Sequence, residues 1–214
     1  TESGDEFGAA LCFGRFDNTN KGTFVVGAPG EDSDAGMVHV IAPWRQVYGL
    51  SGAQSIVYDC ENNLVFSAKP FDQVWIASIT KTMTCLIAAE RSQLPSNDPR
   101  YLDLDAEIII PEWVADEIPG SQVPLSEGER INLRDLMYTC MMLSGNDAAN
   151  AIAYFIYGGA PEICVTAFVT EMNQRAAQLG MNDTHFHNPA GLDNEPVGLE
   201  LGEHYSTPDD MAKL

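Results

Sequence analysis

The chain has 214 residues, of which 45% are hydrophobic, so at about 150 residues per domain it holds one or two domains with a sizeable core. Its 31 acidic residues outweigh 11 basic ones, for a net charge of −20, well beyond the magnitude of about 2–8 usual for a small domain. That balance argues strongly against nucleic-acid binding, which depends on neutralising phosphates, and disfavours docking on anionic membranes. It suits a solvated surface in salty or extracellular surroundings, with an acidic binding face as the alternative.

No apolar run approaches the roughly 20 residues of a membrane-spanning helix. The start, Thr1-Glu2-Ser3-Gly4-Asp5, is polar and acidic, unlike a signal peptide, so any export signal is expected outside this sequence. Residues 1–50 read as short strands and turns. Phe24-Val25-Val26 and Met37-Val38-His39-Val40-Ile41 are β-rich, with Gly27, Pro29, Gly30 and Asp32-Ser33-Asp34-Ala35-Gly36 between them. The order Gly4-Asp5-Glu6-Phe7-Gly8, Val26-Gly27-Ala28-Pro29-Gly30-Glu31-Asp32 and Ala35-Gly36-Met37-Val38 resembles one degenerate FG-GAP repeat. Such repeats build β-propeller blades, and one blade cannot close a propeller of typically 4–8, so a remnant or the last blade of something larger is expected. The turn in which FG-GAP repeats often hold calcium corresponds to residues 15–23, which lack most of the carboxylates calcium prefers. A linker follows from Pro43 to Gly52.

From Ser55 the pattern changes, and residues 51–214 are expected to form a second unit. Ser55-Ile56-Val57-Tyr58-Asp59 and Leu64-Val65-Phe66-Ser67 flank Glu61-Asn62-Asn63 as a β-hairpin. Ile76, Ile79, Met83, Leu86 and Ile87 recur at helical spacing and predict a helix over 77–91. Residues 93–129 are mostly polar. Asn132 reads as the N-cap of a helix whose apolar face is Leu133, Leu136, Met137 and Cys140. Ser144-Gly145-Asn146 interrupts it before a helix over 147–157, and Pro161 opens another that ends at Gly180. Thr207-Pro208-Asp209-Asp210 starts a last helix. Strands followed by a block of helices indicate an α+β or mixed α/β class.

Five cysteines, Cys12, Cys60, Cys85, Cys140 and Cys164, show no CxxC spacing, so zinc and redox motifs are not expected. Cys85, Cys140 and Cys164 lie in apolar helical stretches, where Cys behaves as a small buried hydrophobe. An odd number leaves room for one disulfide without requiring it.

Two elements carry chemistry. In Ala77-Ser78-Ile79-Thr80-Lys81-Thr82, Ser78 and Lys81 share one helix face. A serine hydroxyl needs a base to become a nucleophile, and a lysine serves once burial lowers its pKa, with Met83, Cys85 and Leu86 as apolar cover. Backbone N–H groups of a first helical turn would stabilise an oxyanion. The plain alternative is a capping serine followed by a solvated lysine. Ser144-Gly145-Asn146, three weak helix formers between apolar helices, is either an interhelical turn or a second hydroxyl and an amide for a substrate. His185 and His187 form an H-x-H that can ligate metal, beside Asn188-Pro189-Ala190-Gly191, a turn read as shaping the domain rather than reacting. The acidic pairs Asp103 and Asp105, Asp116 and Glu117, and Asp209 and Asp210 read as solvated faces or helix-start charges.

Taken with Phe168-Val169-Thr170-Glu171-Met172-Asn173, Thr184-His185-Phe186-His187-Asn188-Pro189-Ala190-Gly191-Leu192-Asp193 and His204-Tyr205-Ser206-Thr207-Pro208, these blocks resemble the D-alanyl-D-alanine carboxypeptidases of the low-molecular-mass penicillin-binding proteins. The resemblance implies an α/β (α+β) penicillin-binding protein/β-lactamase-like transpeptidase fold, with the site between a sheet-bearing part and a helical subdomain. It implies Ser78 as nucleophile, Lys81 as base, Ser144 as proton relay and Asn146 as holder of substrate and lysine. Its partners would be a peptidoglycan stem peptide ending in D-Ala-D-Ala and, as inhibitors, β-lactams. Its place would be extracytoplasmic. The family keeps the block with His185 and His187 without metal, and no cofactor is implied. The third motif of that family, Lys-Thr-Gly on a later strand, is missing: after Asn146 the only lysine is Lys213, so the sequence is expected to be a fragment truncated before that motif. Two alternatives stand beside it: a serine β-lactamase, with Glu162, Glu171 or Glu195 as deacylation base, and a catalytically incomplete cell-wall or surface binding module.

Overall fold

A strongly buried helix carrying one buried lysine organises the molecule. The computed structural model describes residues 26–27, 54–58, 63–116, 119–192 and 204–214. Apart from Val26 and Gly27, the FG-GAP-like segment, its candidate calcium turn, the linker, Cys12, Cys60 and Glu195 lie outside the described residues.

Both strands and helices are present, as the mixed α/β class requires. Strand β1 (Val26–Gly27) pairs antiparallel with β2 (Ser55–Tyr58), which pairs antiparallel with β3 (Leu64–Ala68). The last two are the predicted hairpin, with a register irregularity at Val57 and Tyr58. A 3-10 turn (Ala77–Ile79) then leads into α1 (Thr80–Ser92). The polar stretch holds more structure than its composition predicts. Strand β4 (Glu107–Ile109), α2 (Glu112–Ala115) and β5 (Arg130–Asn132) all form, with β4 and β5 antiparallel.

Helix α3 (Leu133–Met142) starts where Asn132 caps it, the side chain accepting the Asp135 N–H at 2.8 Å. Helix α4 (Asn146–Tyr157) is alanine-rich and almost wholly buried, so neighbouring helices can pack closely against it. Helix α5 (Pro161–Gln178) follows, with its proline in the first turn, and α6 (Pro208–Met211) is capped by Thr207. No single helix among the described residues is long and apolar enough to cross a membrane.

Two apolar clusters form the core, and α1 belongs to both. Its Cys85 and Ala88 join Leu133, Leu136, Cys140 and Ile152 on one side. Its Met83 and Ile87, with Ile79 just ahead of it, join Phe168, Met172 and Phe186 on the other. Burying both sides of one helix fixes its axis, because displacing it would open cavities in two clusters at once. The far end of α1 is tied to α5 by Arg91, which donates to both Glu171 oxygens at 3.1 and 2.8 Å. Cys85, Cys140 and Cys164 are free thiols, all buried.

Candidate active site

The near end of α1 is built differently from the rest. Ser78 sits in the 3-10 turn rather than in the first α-helical turn, where the Ile79 N–H bonds Ile76 O at 3.0 Å. Ala77 has φ +42° and Ser144 has φ +57°, a left-handed conformation that non-glycine residues adopt at a cost of about 1–3 kcal/mol. Such strain needs surroundings that hold it in place.

Those surroundings come from residues 188–192. Asn188 is 3% exposed, and its Oδ1 accepts the N–H groups of Ala190, Gly191 and Leu192 at 3.1, 2.6 and 3.0 Å. The loop so formed turns its carbonyls toward α1. Pro189 O accepts from Thr84 Oγ1 at 2.7 Å, and Ala190 O accepts from Lys81 Nζ at 2.8 Å. Gly191, at φ +86°, lies directly under the 3-10 turn, where a Cβ would overlap Ala77 O. Only glycine meets both demands.

Lys81 is 2% exposed. Its other two hydrogen bonds run to Ser78 Oγ at 2.9 Å and Ser144 Oγ at 3.3 Å, and Ser144 Oγ donates to Ser78 Oγ at 2.9 Å. The two serines and the lysine therefore close a triangle. Burial pulls the Lys81 pKa from 10.5 down to about 8, against the opposing pull of Cys140, Cys85 and Asp147. Desolvation disfavours the ammonium, and a buried lysine near pH 8 is partly neutral and able to take a proton.

Ser144 reaches this position because α3 and α4 break around it. Gly145 fits under Val123, where a Cβ would collide with the valine side chain. The buried Asp147 carboxylate accepts from Val123 N at 3.0 and 2.9 Å, Leu125 N at 3.2 Å and Ala148 N at 2.9 Å, stitching the 121–125 segment onto α4. Asn146 is buried beside it, and its side-chain amide donates to Pro119 O at 2.7 Å. Ser78, Lys81 and Ser144 are thus brought together, whereas the Asn146 N–H is turned to the 119–121 segment and Lys81 bonds elsewhere.

Four contributions to the site were not legible in the sequence, although Asn188-Pro189-Ala190-Gly191 reads as a turn. Ala190 acts through its carbonyl, which any residue type offers. Asn188 and Asp147 act on the backbone around the site. The fourth is His204, 4% exposed. Its Nδ1 accepts the His187 N–H at 3.1 Å, so Nε2 carries the proton and donates to Thr80 Oγ1 at 2.6 Å. Burial first, then His187 and His185, depress its pKa from 6.5 to about 3, keeping it neutral. The Ser-Thr-Pro run after it was legible as a helix start; a buried histidine was not.

The family described as D-alanyl-D-alanine carboxypeptidase matches residues 45–214. A D-alanyl-D-alanine carboxypeptidase of Bacillus subtilis is 35% identical over 136 residues, covering 64% of this chain and 30% of the relative. A D-alanyl-D-alanine endopeptidase of Haemophilus influenzae is 31% identical over 164 residues, covering 76% of this chain and 49% of its own. Among solved structures, the D-alanyl-D-alanine carboxypeptidase of Francisella tularensis superposes with a TM-score of 0.64 at 31% identity, covering 84% of this chain and 39% of that one. The Streptomyces K15 DD-transpeptidase does so with a TM-score of 0.59 at 31% identity, covering 71% and 54%. The chain therefore spans about a third to a half of the length of the relatives it matches.

Proposed function

The chain belongs to the D-alanyl-D-alanine carboxypeptidase family, and from that premise we propose that it is a serine-type D,D-carboxypeptidase acting on peptidoglycan stem peptides, outside the cytoplasm, and that it binds penicillin. The observation that carries this reading is the closed triangle of Ser78, Lys81 and Ser144 around a buried lysine. Neutral Lys81 takes the Ser78 proton as Ser78 Oγ bonds to the carbonyl carbon between the two D-alanines. The Ser78 backbone N–H is the donor offered to the oxygen that gains charge. As the C–N bond breaks, Lys81 returns the proton through Ser144 to the leaving amine. Water then hydrolyses the acyl-serine ester with Lys81 again as base. Asn146, buried with its side-chain amide on Pro119 O, is read as the substrate-binding residue. The N-terminal 1–50 segment is read as an FG-GAP-like β segment, although its Val26–Gly27 strand pairs with β2 of the unit that follows.

The assembled triangle favours an enzyme over a binding module. Of the three candidate deacylation bases of a serine β-lactamase, Glu171 is engaged by Arg91 and by the Tyr157 hydroxyl at 2.9 Å, which disfavours it in that role. The test is labelling with a fluorescent penicillin and mapping the adduct by mass spectrometry. The adduct is expected on Ser78 and is expected to vanish in Ser78→Ala. An adduct on another residue, or equal labelling of that variant, refutes the assignment.

A further inference from the structure

A carbonyl oxygen can accept a hydrogen bond but never donate one, and this constrains a neutral amine. Lys81 has three partners: Ser78 Oγ, Ser144 Oγ and Ala190 O. As an ammonium it has three N–H groups and satisfies all of them. As the neutral base it has two N–H groups and one lone pair. Ala190 O must take an N–H in either state, so the remaining N–H and the lone pair are shared between the two serines. With the lone pair on the Ser78 hydroxyl and the N–H on Ser144 Oγ, the Ser144 hydroxyl donates to Ser78 Oγ, and every group is paired. Without the Ala190 carbonyl, both N–H groups are free to occupy the serines, and the lone pair turns away from the proton it should receive.

The Ala190 carbonyl does not hold itself in place. Asn188 gathers the N–H groups of the three residues around it onto one side-chain oxygen, and its own Nδ2 donates back to Leu192 O. We propose that Asn188 is a positioning residue for acylation, acting through the Ala190 carbonyl to aim the Lys81 lone pair at Ser78. This rests on the acyl-serine reading of the site and assigns it a further residue. Asn188 touches no reacting atom. Its effect is on the rate of the proton transfer rather than on the affinity for substrate.

The experiment compares Asn188→Leu, near in size but without an acceptor, with Asn188→Asp, which keeps the acceptor oxygen and, protonated on the oxygen that faces Leu192 O, the donor as well. Each is assayed with a fluorescent penicillin for noncovalent binding and for acylation at saturation. Lys81 is titrated by carbon NMR at its Cε. The other titratable groups facing Lys81 are Cys85 on α1, Cys140 on α3 and Asp147 on α4, and all are unchanged in both variants. In Asn188→Leu, acylation is expected to fall about 10- to 100-fold with binding unchanged, the loss typical of slightly misplaced catalytic groups. Its Lys81 midpoint is expected to move down, because the ammonium loses an acceptor while the site stays dry. Asn188→Asp is expected to acylate near the parent rate, with Lys81 titrating at or above the parent midpoint. A folded Asn188→Leu that acylates like the parent overturns the proposal, as does a folded Asn188→Asp that loses as much as about tenfold. If Asn188→Leu does not fold, Asn188→Asp decides by the same criterion. A parent protein that penicillin does not acylate refutes the acyl-serine reading instead, and the Lys81 titration then decides the role of Asn188.

Discussion

Ser144 Oγ donates to Ser78 Oγ at 2.9 Å across 66 residues of sequence, and each serine is at or next to a left-handed non-glycine residue, Ser144 itself and Ala77. Two helix ends are thereby brought tip to tip over one lysine. Neither end is relaxed. What holds them is on the far side: the 188–192 loop beneath Ala77 and the Asp147 carboxylate beneath Ser144.

The first prediction concerns proton acceptance by Lys81. Only the neutral amine is a base, and burial places its pKa at about 8. Below that pH the neutral fraction drops about tenfold per unit, so acylation by penicillin should rise with pH and level off above about 8. Lys81→Arg should lose about 10²–10⁴-fold across the whole range, because a guanidinium keeps its proton. Stopped-flow labelling at several pH values gives both results. A pH-independent rate, or an arginine variant close to the parent, would point to another base.

The second concerns Gly191. An alanine there must adopt φ +86° and place its Cβ against Ala77 O and Thr80 Oγ1. The backbone strain alone amounts to about 1–3 kcal/mol, and relief of the overlap has to move the turn that carries Ser78. Gly191→Ala should therefore lower the urea midpoint and reduce acylation together. A variant with normal stability and a normal acylation rate would show that the turn tolerates displacement.

How much of this was legible in the sequence depends on which atoms do the work. Helix α1 and its buried face followed from Ile76, Ile79, Met83 and Ile87, because helical periodicity is written in side chains. The pairing of Ser78 with Lys81 followed from their spacing, and Ser144 from the break at weak helix formers. Strands β4 and β5 did not show, since Glu107-Ile108-Ile109 and Arg130-Ile131-Asn132 are three residues each and too short to display a period. The Ala190 carbonyl did not show either, because a main-chain acceptor has no residue type. Asp147 stood in the sequence only as the first residue of the helix over 147–157. Its role depends on Val123 and Leu125, some 22 to 24 residues away, and that proximity exists only after folding.

The third prediction is an acid lability centred on His204. The unfolded imidazole takes a proton near pH 6.5, whereas the folded one stays neutral until about 3. Between these values the unfolded chain binds more protons, so stability is present above pH 6.5 and is lost as pH falls toward 3, by about 1.4 kcal/mol per unit. His204→Gln, which cannot titrate, should flatten this slope by the equivalent of one proton in urea unfolding at a series of pH values. An unchanged slope would assign the lability to other groups.

The last prediction sets stability against activity at Lys81. Its folded pKa of about 8 lies below the ordinary 10.5, so the unfolded chain holds this proton more tightly than the folded one. Between those values stability rises with pH, and below about 8 the full penalty applies, about 3 kcal/mol at 1.36 kcal/mol per unit. Lys81→Met fills the same space with an apolar, flexible chain and removes that penalty. It also leaves the Ala190 carbonyl without its donor, which costs about 1–3 kcal/mol. The variant should therefore unfold at pH 7 no more easily than the parent, and at somewhat higher urea if the loop finds water for Ala190 O. Its advantage should shrink as pH rises past 8, because the parent sheds its penalty there. Acylation should be lost at every pH. Paired urea melts at neutral and alkaline pH, with penicillin labelling on the same samples, measure both sides. A Lys81→Met variant that is clearly less stable than the parent at pH 7 would mean that the lysine holds the site together through its three hydrogen bonds, and that its burial carries no net penalty.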